Sequence, residues 1–157
     1  MAAIRPLLFL SACCLFLNES GPAQTTPMRP AGGSAYFQTL VNEARSRIRE
    51  VGVAQLRTLR SGSPAPILVD VREDNEWNRS RIPGAIHVGR GVLEVSIESR
   101  IPLKSTPIIV YCQGGGRSAV AADTLGKMGY TNVLSLAGGL AAYQAADLPM
   151  DQGVPPR

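Results

Sequence analysis

The chain has 157 residues, 45% of them hydrophobic and 18% charged, the proportions of one globular domain of ordinary size, which excludes a multidomain enzyme. Sixteen Lys and Arg against twelve Asp and Glu give a net charge of +4, but the basic residues are scattered among acidic ones and aromatics make up only 5%. That pattern excludes a basic tract or a stacking platform for nucleic acid, and leaves the charge as a bias towards small anions.

The first 23 residues read as a secretory signal peptide. Arg5 precedes the apolar stretch Pro6–Leu17, and a polar, small-residue segment follows up to Ala23, where a signal peptidase would cut. The stretch has 12 residues, whereas a helix needs about 20 to cross the hydrocarbon core, so no stable membrane span is expected. Leu10-Ser11-Ala12-Cys13 also resembles a lipoprotein box in which Cys13 would be acylated, but Leu15-Phe16-Leu17 carries the apolar run past it. Export to the periplasm or beyond the cell is the expectation, with an anchor at Cys13 as the alternative. Cleavage after Ala23 removes Cys13 and Cys14 and leaves Cys112 alone in a compartment that favours disulfides. Without a partner in its own chain, it is a buried small hydrophobe, an intermolecular partner or a reactive group.

Residues 24–33, rich in Pro, Gly and Thr without periodicity, read as a flexible tether. Apolar residues at Phe37, Leu40, Val41, Ala44, Ile48 and Val51 follow helical spacing, and a shorter helix through Val53, Leu56 and Leu59 ends at Gly62. Residues 34–62 are thus predicted as a helical extension. The run Pro66–Val71, apolar but for Asp70, predicts a strand buried on both faces. A helix-prone patch over Glu73–Asn78, a turn at Pro83-Gly84 and a short strand over Ala85–Val88 come next.

Leu93–Ile101 predicts a helix, and Pro107–Tyr111 repeats the buried-strand pattern. Ala121, Leu125 and Met128 then line a helix stopped by Gly129, Val133–Leu136 supplies a strand, and Leu140–Ala146 a last helix. Strands alternating with helices predict an α/β three-layer sandwich with a central, mainly parallel sheet flanked by helices. The main domain is expected over 63–150, with 151–157 a tail.

The chemistry concentrates where the second buried strand meets Cys112-Gln113-Gly114-Gly115-Gly116-Arg117-Ser118 and a helix. Ligands bind at the carboxyl ends of strands in open α/β sheets, and Cys112 falls one residue past such an end. Consecutive glycines let backbone N–H groups turn inwards as an anion nest, and a helix N-terminus adds partial positive charge. Both favour the thiolate, the reactive form of cysteine. A tight strand-to-helix turn would account for one or two of the glycines, but not for a cysteine at the mouth of the loop.

These motifs resemble the rhodanese-like sulfurtransferases, in a single-domain exported form. The likeness runs from about Leu56 to Met150 and rests on Ile67–Glu73 followed by Glu76-Trp77, on Arg81-Ile82-Pro83-Gly84-Ala85-Ile86, on Ile109–Cys112 with Gly115, Arg117 and Ser118, and on Gly129–Val133 and Leu136–Leu140. Ser80-Arg81 stands where the family usually has Gly-His, Tyr143 where a Trp is common, and Gln113 where many thiosulfate-using relatives carry Arg.

The resemblance implies sulfane-sulfur transfer through a persulfide on Cys112, from a small anionic donor such as thiosulfate to cyanide or a thiol, with no cofactor or metal. It implies that the amides of Gln113, Gly114, Gly115, Gly116 and Arg117 hold the sulfur, and that Arg117 binds the anionic end of the donor. Ser118 is expected to cap the helix, the other role being a hydrogen bond to the donor. Asp70 and Arg72 are read as structural partners near the loop, with Glu73 or Glu76 among their contacts; His87 as a packed or edge-strand residue; and Trp77 as a core or lid aromatic. The competing functions are a cysteine-loop phosphatase and a non-catalytic redox or binding module of the same fold.

Overall fold

The computed structural model describes residues 33–153; the expected signal segment, the acylation site at Cys13 and all but the last residue of the tether lie outside them. In chain order the elements are α1 (Ala35–Arg45), β1 (Arg49–Val51), α2 (Val53–Ser61), β2 (Ile67–Asp70), α3 (Asp74–Arg79), β3 (Ser80–Arg81), β4 (Ile86–His87), α4 (Leu93–Arg100), β5 (Ile108–Tyr111), α5 (Gly116–Lys127), β6 (Val133–Leu136), α6 (Gly139–Ala145) and β7 (Asp151–Gln152).

The main sheet has five strands in the order β1-β6-β5-β2-β4, and every pairing in it is parallel. Side chains alternate across a strand, and β5 shows what that does. Ile108 and Val110 join Val69, Leu93, Ile97, Ala121 and Leu125 in a core between the sheet and α4 and α5. Ile109 and Tyr111 join Leu56, Leu68, Leu136, Leu140 and Tyr143 in a second core beneath α2 and α6. This is the expected three-layer sandwich, and burial on both faces explains why β5 contains no charged residue.

The predicted first helix stops early. α1 ends at Arg45, and Arg49–Val51, placed by its spacing in the same helix, is an edge strand paired with Leu134–Leu136. Arg49 and Glu50 are exposed and only Val51 is buried, so the strand exists because β6 offers an unpaired edge rather than because of its own pattern. The extension over 34–62 therefore contributes to the sheet and is not wholly helical. At the other end, Asp151–Gln152, expected in the tail, pairs antiparallel with Ser80–Arg81, and Arg81 Nη1 donates to the Gly153 carbonyl at 2.5 Å.

The strand order places the loop. From β2 the chain moves outwards to β4, then returns to the other side of β2 to form β5 and continues through β6. The carboxyl ends of β2 and β5 thus flank the point where the winding reverses, the position at which such sheets open a crevice.

Candidate active site

Cys112 follows β5 directly, and its Sγ accepts N–H bonds from Gly115 at 3.2 Å and Ser118 at 3.4 Å. Gly115 is the N-cap of α5 and Ser118 its third residue, so both donors belong to the set that a helix leaves without internal partners. A sulfur placed there meets the partial positive end of a twelve-residue helix. The sequence expectation named the amides from Gln113 to Arg117. Because α5 begins at Gly116, one residue before Arg117, Ser118 supplies the second donor instead.

The first turn of α6 holds the loop from behind. Leu140 N–H donates to the Cys112 carbonyl at 2.8 Å, and Ala141 N–H to the Gln113 carbonyl at 3.0 Å. In a trans peptide, C=O and N–H point in opposite directions, so the N–H groups of Gln113 and Gly114 face away from α6. Gly139, at φ +57°, permits this approach, since a Cβ there would collide with the Cys112 carbonyl and lie 2.9 Å from the Gly115 nitrogen. Gly138-Gly139, which in the sequence belongs to the Leu136–Leu140 stretch that carries the family resemblance, is thus a structural support of the active loop.

Ser118 does not cap α5. Its hydroxyl donates to the Gly115 carbonyl at 3.0 Å and accepts from the Ser135 hydroxyl at 3.0 Å, and both serines are buried. The cap position belongs to Gly115, three residues before Ser118.

Arg117 is held by a carboxylate. Its Nη1 and Nη2 donate to Glu76 at 2.6 and 2.8 Å, a bidentate pair of the strong kind. Hydrogen bonding to Glu76 raises the Arg117 pKa, and the same bond holds the Glu76 carboxyl below its usual range. Asp70 and Arg72 pair with each other, Arg72 Nη2 donating to Asp70 Oδ2 at 2.7 Å with both side chains buried; Glu76, expected among their contacts, attracts Arg72 by charge while its side chain is hydrogen-bonded by Arg117. Arg72 Nη2 also donates to the Ser80 carbonyl at 2.6 Å, and Tyr111 Oη accepts from Ile82 N–H at 3.2 Å. This network ties the ends of β2 and β5 to the Pro83-Gly84 turn.

Trp77 is buried and stacks on His87 with ring centroids 5.0 Å apart. His87 lies on edge strand β4, and its Nε2–H donates to the Arg72 carbonyl at 2.9 Å. Neither residue lines the cleft that reaches the sulfur.

Cys112 is only 1% exposed, yet it borders a cleft of about 630 Å3 together with Gly114, Gly116, Arg117 and residues of α1. Gln113 is exposed on the loop. A thiol at a strand end, a helix N-terminus aimed at it and a cleft leading to it suit nucleophilic attack by sulfur on a small molecule.

The fold and this loop define a class of protein, and residues 53–146 match the family model described as the rhodanese-like domain. The chain belongs to that family. It is 34% identical over 84 residues to a sulfurtransferase of Allochromatium vinosum, an alignment covering 54% of this chain and 77% of that protein. To the thiosulfate sulfurtransferase GlpE of Actinobacillus succinogenes it is 35% identical over 90 residues, covering 54% and 75%. Among solved structures, a Rhodopseudomonas palustris protein of unknown function, described as a possible tyrosine phosphatase, matches with a TM-score of 0.66 at 30% identity, over 79% of this chain and 100% of that one.

Proposed function

We propose that the protein is a sulfurtransferase that carries sulfane sulfur as a persulfide on Cys112. The observation that supports this most is the position of Sγ, buried at the end of β5, bonded by the Gly115 and Ser118 amides and bordering an accessible cleft. The Cys112 thiolate attacks the outer sulfur of an anionic donor such as thiosulfate. An S–S bond forms to Sγ, the S–S bond within the donor breaks, and sulfite leaves with the electron pair.

The second half-reaction returns the enzyme to its starting state. A thiol or cyanide forms a bond to the outer sulfur, and Sγ departs as a thiolate facing the same amides. Arg117, on the border of the cleft, attracts the donor and steadies the sulfite, although Glu76 shares its charge. Neither half-reaction draws on a metal or an organic cofactor. We read the N-terminal segment as an export signal, which would assign this chemistry to the periplasm or the exterior.

Mass spectrometry of the intact protein after exposure to thiosulfate tests the reading. The expected result is a gain of one sulfur atom at Cys112, none in Cys112→Ser, and thiocyanate formation only by the unsubstituted protein. No sulfur gain, or turnover by Cys112→Ser, overturns it. Sulfur uptake without turnover would point to the binding-module alternative, and the starting residue, Gln24 or an acylated Cys13, reads the export signal in the same spectrum.

The likeness to the Rhodopseudomonas palustris protein motivates a second reading, phosphate-ester hydrolysis by the same loop. It is disfavoured because Arg117 is paired with Glu76 and, among the described residues, the cleft lining has no Asp, Glu or His to protonate a leaving alkoxide. Faster release of p-nitrophenol from its phosphate ester than of sulfite from thiosulfate would reverse that order.

A further inference from the structure

Helix α1 lies before the span matched by the family model, which begins at residue 53, yet it forms one wall of the cleft above Cys112. Ala35, Phe37, Gln38, Val41 and Arg45 all line that cleft. The wall is built, not loosely laid. Val41 and Ala44 are buried against Ala119 of α5, with Phe37 packed beside them. Just past the helix, Arg47 donates to Asp123 of α5 from Nε and Nη2, at 2.8 and 3.0 Å. The Ser34 side chain caps the helix by accepting from Phe37 N–H at 3.2 Å.

The wall also touches the catalytic loop. A Cβ on Gly116 would lie 3.4 Å from the Phe37 ring and from Val41 Cγ2, so the glycine lets an apolar surface close over the start of α5. The result is a cleft of about 630 Å3, in the range of roughly 300–1,000 Å3 that holds organic ligands. Cyanide has two heavy atoms and thiosulfate five, and neither has a use for an aromatic and a branched side chain. An acceptor with an apolar body does, because it buries that body as its sulfur reaches the persulfide.

We propose that α1 selects the sulfur acceptor, with Phe37 and Val41 as specificity-determining residues that favour a thiol on an apolar organic body over cyanide. This rests on the sulfur-transfer reading above. In the step concerned, the acceptor thiolate forms an S–S bond to the outer sulfur of protonated Cys112 persulfide. The bond from that sulfur to Sγ breaks, Sγ leaves with the electron pair, and an organic persulfide departs. Sulfur moves from one thiolate to another, so no external oxidant or reductant enters.

The test measures kcat/KM with thiosulfate as donor and three acceptors: cyanide, 2-mercaptoethanol and 2-phenylethanethiol. The unsubstituted protein should prefer 2-phenylethanethiol to 2-mercaptoethanol by about tenfold, the scale on which an apolar pocket discriminates. In Phe37→Ala the preference for 2-phenylethanethiol over both other acceptors should fall by about as much, and Phe37→Leu should restore most of it. Sulfur uptake from thiosulfate, followed by mass, separates the two layers. If the unsubstituted protein takes up no sulfur, the sulfur-transfer reading fails. If it takes up sulfur but turns over the two thiols equally, or if Phe37→Ala takes up sulfur with its preference intact, the role of α1 is overturned. Should Phe37→Ala fail to fold, the comparison of the two thiols on the unsubstituted protein still decides.

Discussion

Glu76 and Arg117, 41 residues apart in sequence, meet in a two-armed ion pair at 2.6 and 2.8 Å, and Arg117 lines the cleft that reaches Cys112. The pair fixes the guanidinium but neutralises it, so an anionic donor approaches a nearly balanced charge. Glu76→Gln keeps a hydrogen-bond acceptor for Arg117 and removes the negative charge. The KM for thiosulfate should therefore fall by roughly threefold to tenfold at low ionic strength, and the gain should shrink as salt screens it. Arg117→Ala should raise the same KM. Initial rates at two salt concentrations check both, and an unchanged or higher KM in Glu76→Gln would remove Arg117 from donor binding.

Gly139 gives the sharpest test of how the loop is held. A side chain there meets the Cys112 carbonyl and the Gly115 nitrogen, at a backbone φ of +57° that side chains rarely adopt. Gly139→Ala should lower stability by about 1–3 kcal/mol through strain and overpacking. It should also slow sulfur uptake, because displacing the Cys112 carbonyl turns the neighbouring amides. Thermal melting and the rate of mass gain under thiosulfate measure the two effects. A variant with normal melting and normal uptake would show that α6 does not shape the loop.

Most of the architecture was legible because it is written locally. Ile108–Tyr111 has no charged residue, so a strand buried on both faces was the natural reading, and the cysteine-glycine loop after it stood out by composition. Apart from the start of α5, which lies a residue or two earlier than expected, the failures are non-local. Ile48 and Val51 continue the helical spacing of α1, yet the available edge of β6 draws Arg49–Val51 into the sheet. Glu76 sits among other acidic residues, and nothing in its neighbourhood names Arg117 as its partner. Phe37 and Val41 read as ordinary core residues of an amphipathic helix; that one side of this helix faces the cleft follows only from how α1 docks on α5.

The buried hydroxyls of Ser118 and Ser135 should behave as a unit. Ser135 donates to Ser118, and Ser118 donates to Gly115, so Ser118→Ala leaves the Ser135 hydroxyl without its acceptor in a fully buried position. The cost should be about 1–3 kcal/mol. The double variant with Ser135→Ala should be less destabilised than the sum of the two single variants, because it removes both polar groups together. Since Ser118 bonds Sγ through its backbone N–H, sulfur transfer should survive in all three variants once folded. Chemical denaturation supplies the cycle, and strictly additive losses would dissolve the proposed coupling.

Acid should loosen the junction between the N-terminal segment and α5. Asp123 accepts from Arg47 at 2.8 Å and from Lys127 at 2.7 Å, and these bonds, Arg47 first, hold its carboxyl well below the ordinary aspartate value of 3.8. A carboxyl lowered in the folded state binds protons more readily once the chain unfolds. Its stabilising contribution is therefore complete above the ordinary aspartate value and is lost as pH falls below it. Glu76, lowered by its bond to Arg117, acts in the same direction. Arg47 is half-exposed, so solvent screening keeps the effect modest. Melting temperature should fall as the solution is acidified from about pH 5 to about pH 3. Asp123→Asn should melt lower at neutral pH and lose less on acidification, so the two curves converge. If they stayed parallel, the Asp123 carboxylate would not be what fastens Arg47, and with it the end of α1, to α5.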